Sequence, residues 1–166
     1  MIRIGMIEFT RGAYDDVVAH AIEGREAADP VEVCGVLAGR FDEDGDRSTV
    51  TETHRASNAA ETPRTRYLID PEEQFAILEA IEAAGDEVVG FYHSHPTGPP
   101  YPSETDAADA TWPGRSYVIC ALDGQPFVGS WRWQGESAAD RPDGDPRAGE
   151  RDGFRRETVA VVPETG

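Results

Sequence analysis

The sequence predicts one α/β or α+β domain, and three observations carry that prediction. Its 166 residues suffice for one ordinary core, and 39% of them are hydrophobic, too many for a disordered chain. Apolar runs of strand length alternate with stretches of helical period, divided by turns containing Gly and Pro. No segment repeats. The expected unit is a single domain over residues 1–166.

Met1 to Phe9 alternates weakly and reads as a short strand. Thr10 is placed to cap a helix patterned on Ala13, Val17, Val18, Ala21 and Ile22, with Gly24 and Pro30 marking its end. Val31 to Phe41 reads as a buried strand that turns through Asp42-Glu43-Asp44-Gly45-Asp46 into a partner, Thr49 to Ala56, as a hairpin. A loop through Asn58 and Pro63 reaches Tyr67-Leu68-Ile69. Asp70-Pro71-Glu72-Glu73 then opens a second helix, with Pro in the first turn and acids at its positive end. Phe75, Leu78, Ile81 and Glu82 follow its period, and Gly85 closes it. Val88 to Tyr92 is a strand running into His93. After a proline-rich loop, Ser103 to Trp112 is a helix candidate, and Tyr117 to Leu122 and Phe127 to Trp133 are strands. Residues 134–152, rich in Gly, Pro, Asp and Arg, read as a flexible acidic insertion, because Thr158 to Val162 regains strand character.

The formal net charge is -17, and all 15 basic residues are Arg. Nucleic acid and anionic membranes are therefore not expected partners, since both need a basic surface. The acids are spread along the chain and not gathered in one tail, which favours a surface adapted to a very salty cytoplasm, a halophilic character, over an acidic face for a basic partner. There is neither a signal peptide nor an apolar stretch near membrane-spanning length, so a cytoplasmic location is expected. Cys34 and Cys120 sit in apolar runs and read as buried thiols. His20 and His54 read as packed or solvated residues, and Trp112, Trp131 and Trp133 as core or edge residues. No feature specifies an oligomeric state.

The chemistry concentrates in His93-Ser94-His95, followed after seven residues by Ser103-Glu104-Thr105-Asp106. On a strand, side chains two apart share a face at roughly 7 Å, and two imidazoles so placed can reach one ion. Asp106, in the first turn of the next helix, is the natural third ligand. Two nitrogens and one carboxylate oxygen leave a tetrahedral position open to water, the catalytic arrangement for zinc. Two plainer readings stand beside this one. His-x-His occurs in solvated turns, and Ser103 with Asp106 is also an N-cap with an acid at N3. Glu32, in Pro30-Val31-Glu32-Val33-Cys34-Gly35-Val36-Leu37-Ala38-Gly39, reads by itself as a solvated acid at the entrance of a buried strand.

Together these segments resemble the JAMM (MPN+) metalloprotease family, in its prokaryotic, deubiquitinase-like form and with a haloarchaeal composition. The likeness also takes in His20-Ala21, Asn58, Pro63-Arg64, Tyr67 to Pro71, Gly90-Phe91-Tyr92, Ser130-Trp131-Arg132 and Phe154 to Glu157. It implies a mixed β-sheet flanked by helices, related in architecture to the cytidine deaminases; the H-x-E and P-C-x-x-C signature of a deaminase itself is missing. It further implies one zinc ion held by His93, His95 and Asp106, Glu32 as general base and Ser103 as oxyanion donor. The implied substrate is an isopeptide or peptide bond after the Gly-Gly tail of a ubiquitin-like modifier. The alternatives are an adduct of a sulfur-carrier protein, or a non-catalytic MPN scaffold that only binds partners.

Overall fold

A computed structural model describes residues 5–124, 127–135 and 153–163. In chain order these form β1 (Met6–Thr10), α1 (Arg11–Glu26), β2 (Cys34–Phe41), β3 (Arg47–Ala56), α2 (Pro71–Ala83), β4 (Glu87–Ser94), α3 (Glu104–Asp109), β5 (Ser116–Cys120), β6 (Val128–Trp133) and β7 (Phe154–Val162). The strands lie in the order β1-β3-β2-β4-β5-β6-β7, and β1 returns to β7, so the expected mixed sheet closes on itself as a barrel. Three pairings are parallel (β1 with β3, β1 with β7, β4 with β5) and the other four antiparallel. Of the insertion expected at 134–152, only Gln134 and Gly135 fall within the described residues.

The Thr10 hydroxyl accepts from Ala13 N–H at 3.2 Å and starts α1, which buries Ala13, Val17, Ala21 and Gly24 along one face. Gly24 does not end the helix, as its residue type suggested. A Cβ there would lie 2.5 Å from Val33 Cγ1 and 2.9 Å from the Val31 carbonyl, so the glycine serves close approach to the chain entering β2. The helix α2 opens as expected: Asp70 accepts from Glu72 N–H at 2.9 Å, and Gly85, at φ +79°, follows its end. Its apolar period does not become a buried face. Only Ile81 is buried, Ile77 is half-buried against the core, and Phe75 is 63% exposed.

The helix expected from Ser103 to Trp112 stops at Asp109. Ala110 is extended, and the amides of Thr111 and Trp112 donate to the Tyr117 hydroxyl instead of continuing the helix. The last strand begins at Phe154, earlier than Thr158, because Phe154 to Glu157 pair with Trp133 to Ser130. At its other end β2 starts only at Cys34. Val31, Glu32 and Val33 approach it outside the strand.

Two apolar clusters line the sheet. One gathers Ile7, Phe9, Val17, Leu37, Val50, Tyr92 and Val118 on the α1 side; the other gathers Val36, Ile69, Ile81, Phe91, Ile119, Trp131 and Phe154 on the opposite side. Cys34 and Cys120 are buried free thiols, Trp131 is buried, and Trp112 and Trp133 pack half-buried on the second cluster. Strand β4 changes face partway. The β2–β4 register passes from Leu37↔Gly90 to Ala38↔Val88, leaving Val89 extra. Val88 and Phe91, three apart, therefore both meet the second cluster, and Tyr92 turns to the first. The bulge thus decides that His93 faces the second cluster's side of the sheet.

Candidate metal centre

The β2–β4 ladder sets Cys34 opposite His93, and just beyond it the Ser94 amide donates to the Val33 carbonyl at 3.1 Å. Continued by one more step, this pairing brings Glu32 beside His95. Ser94, pointing away from its two histidine neighbours, accepts from Val33 N–H at 2.9 Å and pins the segment that carries Glu32. The residue type of Ser94 announces no such task; only the alternation of faces on a strand points to one. The chain then bends through the prolines, and the Pro99 carbonyl meets His95 Nδ1 at 2.6 Å. Ser103 caps α3 by accepting from Asp106 N–H at 3.0 Å, while Asp106 Oδ2 accepts from Ser103 N–H at 2.9 Å. The capping box and the site are therefore the same structure. Asp106 is the N3 acid of the cap and also faces both imidazoles.

His93 Nε2 and His95 Nε2 lie 3.1 Å apart; His95 Nε2 is 3.1 Å from Asp106 Oδ2, and His93 Nε2 is 3.2 Å from Asp106 Oδ1. Glu32 completes the group, and one donor atom from each of the four residues lies within 4.8 Å of the other three. All four residues are buried. Glu32, at 4% exposure, is thus not the solvated acid its local sequence suggested, because the 58–68 loop and β4 enclose it. Ser103 stands at the rim, half-buried. The Tyr67 ring stacks on His93 with centroids 4.4 Å apart.

The donor set fits a small divalent cation. Four tetrahedral ligands at 2.0–2.1 Å from an ion stand about 3.3 Å from one another, close to the separations found here. With Nδ1–H directed at the Pro99 carbonyl, His95 turns the lone pair of Nε2 toward the Asp106 carboxylate and the other ring. A cation is the natural occupant of that point. The protonation balance agrees. Burial, with a smaller contribution from Asp106, pushes Glu32 up to about 8, while His95 opposes the rise. For Asp106, burial is outweighed by His93, His95 and the Ser103 amide, which hold it well below the usual carboxylate range. Burial lowers His93, whereas for His95 the contacts to Asp106 and Pro99 overcome burial and raise it.

His20 and His54 lie outside this group. His20 Nδ1 meets the Tyr92 hydroxyl at 2.7 Å on the α1 side of the sheet, and burial lowers its pKa to about 4. Asn58, expected only as a loop residue and part of a likeness, proves to be bonded to the Glu32 main chain.

A mixed α+β barrel with a buried His-His-Asp nest and an adjoining glutamate defines a class, the metal-dependent hydrolases. Residues 13–134 match the family described as prokaryotic homologs of the JAB domain. The chain belongs to that family, the prokaryotic branch of the JAMM/MPN proteins. Over 119 residues it is 53% identical to the desampylase of Haloferax volcanii, covering 72% of this chain and 83% of that protein. Over 103 residues it is 41% identical to the CysO-cysteine peptidase of Mycobacterium tuberculosis, covering 62% of this chain and 64% of the relative. A solution structure of a protein from Desulfitobacterium hafniense matches with a TM-score of 0.72 at 29% identity, covering 96% of this chain and 94% of the other. Among the described residues, no helix is long and apolar enough to cross a membrane.

Proposed function

We propose that this protein is a zinc-dependent hydrolase that cleaves the isopeptide or peptide bond joining the C-terminal tail of a ubiquitin-like modifier to an amine. The observation that carries this reading is the convergence of His93, His95 and Asp106 at 3.1–3.2 Å beside the buried carboxyl of Glu32. In it, His93, His95 and Asp106 are the metal ligands. Zinc suits two imidazoles and one carboxylate, and when bound it supplies an acidified water and polarises a carbonyl.

The remaining work falls to the chain's own side chains. Glu32 takes the proton of the attacking water and delivers it to the departing amine, which leaves poorly until protonated. Burial raises this carboxyl, which helps it hold the proton between those two events, while a neighbouring cation favours the ionised form that begins the reaction. Ser103 accepts from Asp106 N–H through Oγ and keeps its own O–H to donate to the developing oxyanion. A narrow cleft would favour glycine at the tail, where a backbone must come close.

The similarity to the CysO-cysteine peptidase favours a second reading with the same residues, hydrolysis of a sulfur-carrier protein adduct. A purely scaffolding role leaves the assembled donor set without a purpose. The test combines metal analysis with cleavage in molar KCl, offering a ubiquitin-like conjugate and a CysO–cysteine adduct side by side. One zinc per chain and cleavage abolished by chelator are expected. Glu32→Gln should retain zinc and lose about 10²–10⁴-fold in turnover, whereas His93→Ala and Asp106→Ala should lose the metal as well. Near-native turnover in Glu32→Gln would remove the assigned base, and zinc-free protein that still cleaves would remove the whole reading.

A further inference from the structure

The segment between β3 and α2 has no regular secondary structure, yet it forms one wall of the site. Main-chain bonds from Ala59 N–H to the Leu68 carbonyl at 2.7 Å and from Arg66 N–H to the Thr62 carbonyl at 3.1 Å shape it, and one side chain ties it to the site. Asn58 Nδ2 donates to the Glu32 carbonyl at 2.9 Å and the Arg66 carbonyl at 2.9 Å, with a longer contact of 3.4 Å to the Pro63 carbonyl. Asn58 Oδ1 accepts from Ala60 N–H at 3.0 Å and Leu68 N–H at 3.1 Å. Both N–H bonds and both lone pairs of the amide are thereby used. The Pro63 carbonyl, inside the same loop, also accepts from Glu32 N–H at 2.7 Å. The main chain of Glu32 is thus held at its carbonyl by Asn58 and at its amide by the loop that Asn58 ties down. Between the bonded Arg66 carbonyl and Leu68 amide lies Tyr67, whose ring stacks on His93.

We propose that Asn58 is a positioning residue for the reaction, fastening the 58–68 loop so that Glu32 and Tyr67 are held against the two-histidine centre. The inference rests on the reading of Glu32 as the base. Glu32 needs such an external hold because it lies outside the β2 ladder and its Oε1 has no hydrogen-bond partner. No side chain or amide among the described residues donates to that oxygen, so the protein fixes its placement through the backbone that carries it. An exposed tie, Arg66 to Asp109 at 3.0 Å on both nitrogens, joins the same loop to α3, but it touches neither Glu32 nor the rings.

The discriminating variant is Asn58→Asp, which keeps the shape and the two acceptor bonds but turns a carboxylate oxygen toward the Glu32 and Arg66 carbonyls. In zinc-loaded protein, kcat on a ubiquitin-like conjugate should fall about 10–100-fold, the range for groups that orient metal-site residues, with KM within about threefold and one zinc retained. Amide exchange should accelerate at Glu32, Ala60 and Leu68 while β4 and β5 stay protected. A double-mutant cycle separates positioning from general destabilisation. If Asn58 acts through Glu32, adding Asn58→Asp to Glu32→Gln should lower turnover no further. Full multiplication of the two losses overturns the proposal, as does wild-type kcat in Asn58→Asp. Should Asn58→Asp fail to fold, Asn58→Ala carries the same cycle without the added charge. Retained activity in Glu32→Gln alone would instead sink the base assignment, a distinct result from the same set of proteins.

Discussion

In protein stripped of metal, Glu32→Gln should make the fold more stable, and by an amount that depends on pH. Glu32 is buried, its Oε1 is unpartnered, and burial with Asp106 raises its pKa from an ordinary 4.5 to about 8. Below pH 4.5 the carboxyl is neutral in folded and unfolded chains alike and has no effect. Between 4.5 and 8 the unfolded chain releases the proton while the folded chain still holds it, so stability declines as pH rises. Above 8 both are ionised and the decline ends. At pH 7, about 2.5 pH units into that window, the accumulated loss at 1.36 kcal/mol per unit is about 3 kcal/mol. A glutamine of the same shape carries none of it. For a chain of this size that is about 6–12 °C in thermal midpoint. The assay is thermal unfolding of chelator-treated wild type and Glu32→Gln between pH 4 and 9 in molar KCl. The two curves should coincide near pH 4, part as pH rises and run parallel above pH 8. Added zinc should narrow the gap, because a neighbouring cation favours the ionised carboxylate. Equal midpoints at pH 7, or a full gap already present at pH 4, would refute the argument.

Glu157 is buried and accepts from the hydroxyls of Ser116 and Ser130 and from Arg132 Nη2 at 2.9 Å, so Glu157→Ala should cost about 1–3 kcal/mol in denaturant unfolding by leaving two buried hydroxyls without their acceptor and Arg132 with only the Gly45 and Asp46 carbonyls. Gly90→Ala would set a Cβ 1.9 Å from the Ser116 carbonyl, forcing β4 from β5; a loss of about 1–3 kcal/mol with weakened zinc retention is expected from melting and metal analysis. With a net charge of -17, the thermal midpoint should climb steeply from 0.1 to 1 M KCl as the Debye length shrinks from about 10 to 3 Å, and equal midpoints would count against salt adaptation.

Much of this molecule was legible in its sequence where one local rule decided the outcome. Thr10 and Asp70 start helices because their side chains reach nearby amides, and the β2–β3 hairpin follows from alternating residues around the Gly45 turn. His93, His95 and Asp106 were legible because only 13 positions separate the first from the last and strand and helix geometry fix the rest. Where several elements meet, local rules gave way. Gly24 resembles a stop signal, but the approach of Val33 explains it. Phe75 obeys the helical period and still faces outward, since α2 meets the sheet through Ile77 and Ile81. Asn58 was opaque because its bonds go to main-chain atoms, whose positions no residue type announces.

The two carboxyls of the site show how the partners around each group, more than its depth, separate their protonation. Glu32 and Asp106 are both buried, at 4% and 8% exposure, so desolvation alone would raise both. Asp106 instead has an amide and two imidazoles directed at its oxygens and stays ionised, as the metal-ligand role proposed for it requires. Glu32 has no such donors at Oε1, and with no cation beside it burial raises it to about 8; a neighbouring cation would favour the ionised form that can accept a proton. When neighbouring acids are driven apart in this way, their environments favour assigning the stabilised anion to binding and the other to proton transfer. The α3 capping box adds to that division: the Ser103 amide joins the two imidazoles in holding Asp106 low, so its loss alone should raise Asp106 only partway, the imidazoles keeping the larger share.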